Sequence, residues 1–336
     1  MKHYRLPLAV SALAFLAAAC ADRPSPSAPQ IQSVSAVQDL SQGAEVLSQA
    51  VIHRTIEGVA AERRAARAGG AASTTSNMYY HGGTGGFGVE TAPKIYLVVW
   101  GSQWSKGDPS GEVAILQHFY SGIGGSGWMN SVTQYCQGIA NGASNCGVAG
   151  AVAAGNPAGI YAGVWYDNAK AAPTHPRQSD LAKEAVAAAA HFGNTTAASN
   201  ASVQYVIATA TGNSSSGFKT QYCAYHSSTS TSYGNVAYTN LPYITDAGAS
   251  CGANFNGLGA LAGITMVSGH EAGETMTDQF PSTGWLDSSG AENGDKCAWI
   301  ATGSVGASAN VTFSTGTFAV QSLWSNASSS CVLSYP

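Results

Sequence analysis

Apolar residues recur along this chain in two rhythms, and each predicts a different kind of element. Between residues 34 and 67, Val37, Leu40, Ala44, Leu47 and Val51 fall three and four apart, and Ile52, Ile56 and Val59 continue one position over. That spacing predicts a helix ending in the basic run Arg63, Arg64 and Arg67. Lys94 to Gly101 is instead an unbroken β-branched and aromatic run bounded by Pro93 and Gly101, which predicts a buried strand. Gly159 to Tyr166 and Ser202 to Ala208 read as further strands. Gly111 to Tyr120 is expected to be helical, with Val113, Leu116 and Phe119 on one side. A second helix should run from a Ser179 cap to about Phe192, with Asp180 and Glu184 near its positive end. Leu258, Leu261, Ile264 and Val267 space out a third over 256–278. After Trp285, short alternating runs such as Val311 to Phe313 and Phe318 to Gln321 predict a β-rich C-terminal part. Mixed strands and helices over 77–336 indicate one α+β or α/β domain with a mixed sheet, beginning near Met78.

Residues 1–20 have the form of a secretion signal: Lys2 and Arg5, an apolar stretch from Leu6 to Ala19, then small residues before Cys20. Leu16 to Cys20 also resembles a bacterial lipoprotein signal, so a lipid tether on Cys20 is the alternative to free secretion. Residues 21–32 form a Pro/Ser linker. The helical stretch, with the small-residue run Gly69 to Ser76, reads as a pro-segment or a spacer. An exported chain with Cys136, Cys146, Cys223, Cys251, Cys297 and Cys331 suggests three disulfides, most simply paired in sequence order. A net charge of -4 with no basic tract in the body argues against nucleic acid as a partner, and a monomer is expected.

The chemistry concentrates in Ser268 to Asp278, which holds a His-Glu-x-x-Glu pattern. On a helix, His270 and Glu274 share one face, close enough to grip one metal ion. Glu271 sits where zinc peptidases of the His-Glu-x-x-His kind place their general base. Only 18 of the 336 residues are acidic, yet six of them (Glu271, Glu274, Asp278, Asp287, Glu292 and Asp295) fall between 270 and 295 with no Lys or Arg among them. Packed carboxylates repel one another and resist burial, a conflict that a cation resolves.

A hydrolytic zinc site needs three protein ligands and an open position for water. Beyond His270 and Glu274, the leading third ligands are Glu292 and Asp295, on a glycine-rich turn next to Cys297. Asp278 suits either a ligand or a supporting role, and His226 and His81 are rivals that structural hydrogen bonding would explain better. The oxygen-rich turn Asp287, Ser289, Glu292 and Asp295 would suit a structural Ca2+. Gly248-Ala-Ser250-Cys-Gly252 matches a nucleophile elbow in letters but follows a turn rather than a strand.

The set Tyr80-His-Gly-Gly83, Ile95 to Gly101, His270 to Glu274, Thr277-Asp278, Trp285-Leu-Asp287 and Glu292 to Cys297 resembles a bacterial secreted His-Glu-x-x-Glu family. It is more distantly similar to the plant phosphate-induced, exordium-like proteins. The bacterial likeness implies a metallopeptidase acting on peptide substrates. The plant likeness implies a non-catalytic role at the cell surface or wall. The expectation is a secreted or envelope-bound zinc peptidase whose motif helix lies on a mixed sheet in the zincin manner, with Glu271 as base.

Overall fold

The computed structural model describes Met1 and residues 50–68 and 77–336. The expected signal, the linker and the first part of the expected helix lie outside the described residues. From residue 50 onward the chain is an α+β fold built on one six-stranded mixed sheet. Its strands are β1 (Val51–Arg54), β2 (Lys94–Trp100), β3 (Tyr161–Asp167), β4 (Val203–Thr209), β5 (Tyr222–Thr231) and β6 (Gly234–Leu241). The spatial order is β1-β5-β6-β4-β2-β3. The pairs β2/β3, β2/β4 and β4/β6 are parallel, whereas β5 runs antiparallel to both β6 and β1.

In the parallel half, β2 and β4 are readable because they are buried apolar runs, whereas β3, at the sheet's edge, has no buried residue. Every residue of β4 is buried, as are five of the seven in β2. The antiparallel half was not predicted. β5 ends in Ser-Ser-Thr-Ser-Thr, and one of its faces carries polar side chains that meet other polar side chains, so no apolar pattern marks it.

Four helices accompany the sheet: α1 (Ile56–Ala68), α2 (Glu112–Ile123), α3 (Gln178–His191) and α4 (Ala262–Thr277). Successive residues of β5 reach opposite faces. Ser227 receives the Gln178 side chain of α3, and His226 turns toward α4, so these two helices cover opposite sides of the sheet. Arg177, rather than Ser179, caps α3 by exchanging hydrogen bonds with Asp180.

Within the described part of the sequence-predicted helix over 34–67, a strand takes the place of helix at Val51–Arg54. Val51 to Arg54 join the sheet beside β5, and helix begins only at Ile56. The β-branched pair Val51-Ile52 favours extended backbone, and the edge of β5 supplies the ladder. Thr55 ends the strand and accepts the Gly58 N–H at 3.2 Å through its hydroxyl, which starts α1. The folded body therefore includes residues ahead of Met78.

The motif helix also starts later than its apolar spacing suggests. Asn254, Asn256 and Gly257 lie at φ values of 58°, 53° and 72°, which no helix allows, and Leu261 stays exposed just ahead of α4. From Ala262 onward all sixteen residues of α4 are buried. Such a helix is sealed on every side, and close packing requires small residues. A Cβ on Gly263 would lie 2.0 Å from the Cys251 carbonyl oxygen.

The C-terminal part is β-rich as expected, with hairpins Ala309–Phe313/Gly316–Val320 and Leu323–Ser325/Ser330–Val332. The cysteines pair in sequence order, Cys136–Cys146, Cys223–Cys251 and Cys297–Cys331. Among the described residues, no helix is long and apolar enough to cross a membrane.

Candidate metal centre

His270 and Glu274 stack one turn apart on α4, with His270 Nε2 2.9 Å from Glu274 Oε1. The contact lacks hydrogen-bond alignment, and His270 keeps both ring nitrogens without a hydrogen-bond partner. A short, unaligned N···O approach is what two donors aimed at a common point produce. For two ligands on one tetrahedral zinc the separation is about 3.3 Å.

The turn after α4 brings the remaining carboxylates. Asp295 Oδ1 lies 3.8 Å from His270 Nε2, and the Asp295 N–H donates to Glu274 Oε1 at 2.9 Å. The turn is fastened by the Cys297–Cys331 disulfide and by the Asn293 amide, which donates to the Gly273 carbonyl at 3.1 Å. Gly294 lets the backbone lie against the ligands, since a Cβ there would come within 2.8 Å of Glu274 Oε1 and of His270 Nδ1.

β5 supplies the next part. His226 Nε2 is 2.8 Å from Glu292 Oε2 and 3.8 Å from Glu274 Oε2. Glu274 thus sits between two histidines, one on each oxygen. Two sets of donors result, each compact enough for an ion: His270, Glu274 and Asp295, and His226, Glu274 and Glu292. A third set joins His270 and Glu271 to His53 on β1.

Sequence reading missed His53 because its segment was assigned to a helix. Its ring lies flat on that of His270, with centroids 3.6 Å apart and planes 5° from parallel, and Trp299 covers its other face at 4.8 Å. An imidazole lone pair points in the ring plane, so two parallel stacked rings cannot both aim at one ion. His53 is consequently a lid over His270 rather than a co-ligand with it.

These groups are sealed from solvent. His53, His226, His270, Glu271, Glu274 and Glu292 have no exposed surface, and Asp295 alone keeps 26% of its side chain open. Buried polar atoms almost always find partners, yet here many do not. Both nitrogens of His53, both carboxylate oxygens of Glu271, Glu274 Oε2, Glu292 Oε1 and His226 Nδ1 lack a hydrogen bond.

The electrostatics follow from that burial. Burial pushes the Glu271 carboxyl well above the ordinary range, helped by the charges of Glu274 and Asp295. Glu292 is raised well above it too, by burial and then by Glu274 and Asp278. Asp295 is raised by burial and by Glu274, but its residual exposure tempers the effect. Burial also resists the charging of Glu274, but His270 and His226 overcome it and hold this carboxyl below its usual value. The same balance, with Glu274 outweighing burial, raises His270. Burial pulls His53 and His226 down, leaving neutral imidazoles.

Other sequence-predicted candidates are committed to other contacts. Asp278 is not a donor in any of the three sets. Its oxygens receive the N–H groups of Ser282, Thr283 and Gly284 at 2.6, 3.0 and 2.5 Å, so it caps the turn that leaves α4. Asp287 receives the Lys296 ammonium at 2.7 Å and bonds from Ser289 and Ala291, so a side-chain cation already fills the place proposed for calcium. His81 is exposed and bonded to the Tyr79 carbonyl. Ser250 lies in a 3-10 turn beside disulfide-bonded Cys251, with no strand feeding it. A cleft of about 480 Å³ near Trp104, Asp108 and His118 is lined by none of the site residues.

No protein-family model, curated protein or solved structure matches this chain. Its functional reading rests on the site's own chemistry.

Proposed function

We propose that the protein is a zinc-dependent peptidase of the cell exterior or envelope, zincin-like in setting its ligand helix against a mixed sheet. The observation that carries this reading is the cluster of buried, unpartnered donors around Glu274. Unpaired buried carboxylates and imidazoles are costly, and a divalent cation is the group that satisfies them together. His270, Glu274 and Asp295 would hold the ion, and one imidazole with two carboxylates is a donor set that zinc accepts. Bound zinc supplies a water acidified to a pKa of about 7 and a Lewis acid for the substrate carbonyl.

The protein groups then have defined tasks. Glu271 follows the ligand His270 directly, and its oxygens are uncommitted, so it is free to take a proton from the attacking water and pass it to the leaving amine. His226 and Glu292, paired at 2.8 Å, steady the second oxygen of Glu274 and fix the ligand's orientation. Three disulfides suit an oxidising compartment.

The test is metal analysis of the purified protein joined to a hydrolysis assay on an unfolded polypeptide. One zinc per chain, with hydrolysis lost on chelation and restored by zinc, is expected. A folded protein that binds no zinc and cleaves nothing would overturn the reading and favour a non-catalytic surface role of the exordium-like kind.

A further inference from the structure

A peptidase must admit a polypeptide, yet the described donors are closed over. Over His270 lies His53 of the chain's own segment 51–54, with Trp299 on its other face. We propose that the edge of β5 is the seat of an extended polypeptide substrate, and that residues 51–54 occupy that seat in the intact chain. The proposal rests on the peptidase reading above and adds to it the substrate's backbone path, one side-chain preference and a form of self-inhibition.

The geometry has three parts. First, β1 is the outermost strand of the sheet and only four residues long, so removing it leaves β5 with a free edge. An exposed sheet edge takes an extended peptide by backbone pairing alone. β5 is also the strand that carries His226, and Val51 lies directly opposite that residue in the antiparallel register.

Second, the backbone path delivers a side chain to the chemistry. His53 enters between the His270 and Trp299 rings and reaches the Glu271 group, but its nitrogens bond to nothing. A structural strand would gain nothing from an unpaired buried imidazole there. A slot with one ring below and one above fits any flat side chain, so a substrate with His or an aromatic residue at that point is favoured.

Third, the segment is fastened by contacts that can be released locally. Val59 is the one buried residue of α1. Otherwise the segment is held by Arg63, which donates to the Ala298 carbonyl at 2.7 Å, by Trp299, which donates to the Arg54 carbonyl at 2.8 Å, by the Thr55 N–H, which donates to the Gln221 carbonyl at 3.3 Å, and by Ile52 and Ile56, which pack against the core. Trp299 itself is held at φ 51°, a left-handed backbone uncommon for such a residue, and this places its indole over His53. Cutting the chain after Ala68 would sever its covalent link to the body, leaving, among the described residues, those contacts and the β5 ladder to hold it.

The experiment places a recognition sequence for a site-specific endopeptidase within residues 69–76, cuts the purified chain and washes away the released segment. A fluorescent peptide spanning Ala50 to Glu57 then reports binding by anisotropy, beside hydrolysis of an unfolded polypeptide. The expected result is saturable binding, at least tenfold weaker when His53 of the peptide is Gly but retained when it is Phe. Hydrolysis should rise at least tenfold over the uncut chain and fall again on adding the peptide. Binding without any hydrolysis would support the seat and sink the peptidase. Equal hydrolysis before and after release, or a folded cut chain that ignores the peptide, would overturn the seat and leave the peptidase standing. If the cut chain loses its near-ultraviolet dichroism, the decision passes to Arg63→Ala in the uncut chain. Faster amide exchange across 51–54 with raised hydrolysis supports the proposal, and exchange and hydrolysis equal to the parent chain overturn it.

Discussion

Two sets of buried carboxylates arise from the same short stretch of chain, and they differ in whether their oxygens are used. Asp278 and Asp287 are saturated. One caps three backbone N–H groups, and the other holds the Lys296 ammonium and three further donors. Glu271, Glu274 and Glu292, equally buried, leave oxygens unpaired. For Asp287, burial opposes ionisation, but Lys296 and Ser289 prevail and keep its carboxyl low. For Glu271 and Glu292, burial prevails and raises it. Polar satisfaction therefore separates scaffold from site where proximity in sequence does not. The first set stabilises the turn that carries ligands, and the second costs stability that a ligand would return.

That contrast can be broken at several points. The largest effect is expected at Glu271→Gln, which should lower kcat by about 10²- to 10⁴-fold while zinc content and melting temperature hold, read by kinetics, metal analysis and calorimetry together. A loss of zinc in that variant would make Glu271 a ligand instead. Asp287→Ala removes the carboxylate from a buried ammonium whose side chain is only 1% exposed and which otherwise faces the Trp324 ring at 4.3 Å, and should destabilise the fold by about 3 kcal/mol in denaturant titration. A cost under about 1 kcal/mol would mean the pair is not structural.

Glu292→Gln should act in the opposite sense. Replacing a raised carboxyl, one of whose oxygens has no hydrogen bond, by a neutral isostere leaves the metal-free protein as stable or more so, while zinc affinity falls by about 10- to 100-fold. Destabilisation of the metal-free form would place Glu292 in the scaffold set.

The smallest effect concerns a buried carboxyl outside both sets. Burial raises Glu90 to about 8, against a hydrogen bond from Gln204. Its folded value lies above its unfolded one, so the native state binds more protons between them. Its contribution is complete below the unfolded value and is lost as pH rises through about 8. The melting temperature of the zinc-loaded protein should thus fall over that window, and fall less in Glu90→Gln. An identical slope in both would remove Glu90 as the cause.

The pattern of what was legible follows the same physics. The strands Lys94–Trp100 and Val203–Thr209 and the motif helix announce themselves by apolar runs, and His270, Glu271, Glu274, Glu292 and Asp295 by a charge cluster in a chain with little charge. β5 was hidden because its Ser/Thr-rich run is half-covered by polar contacts, and His226 remained a rival because nothing local ties it to a residue 66 positions away. His53 was lost in a segment whose helical spacing is real from Ile56 onward but gives way, at Val51-Ile52, to pairing with a distant strand. The one available signal was that β-branched pair. Separating Asp278 and Asp287 from the glutamates required hydrogen-bond partners, which no spacing encodes.

The central claim is best tested by anomalous diffraction at the zinc edge from crystals of the protein as purified. One strong peak is expected about 2.0–2.2 Å from His270 Nε2 and from a Glu274 carboxylate oxygen, with Asp295 completing the protein ligands. A site without a peak in zinc-replete crystals, or a peak on the Asp287 turn instead, would contradict it.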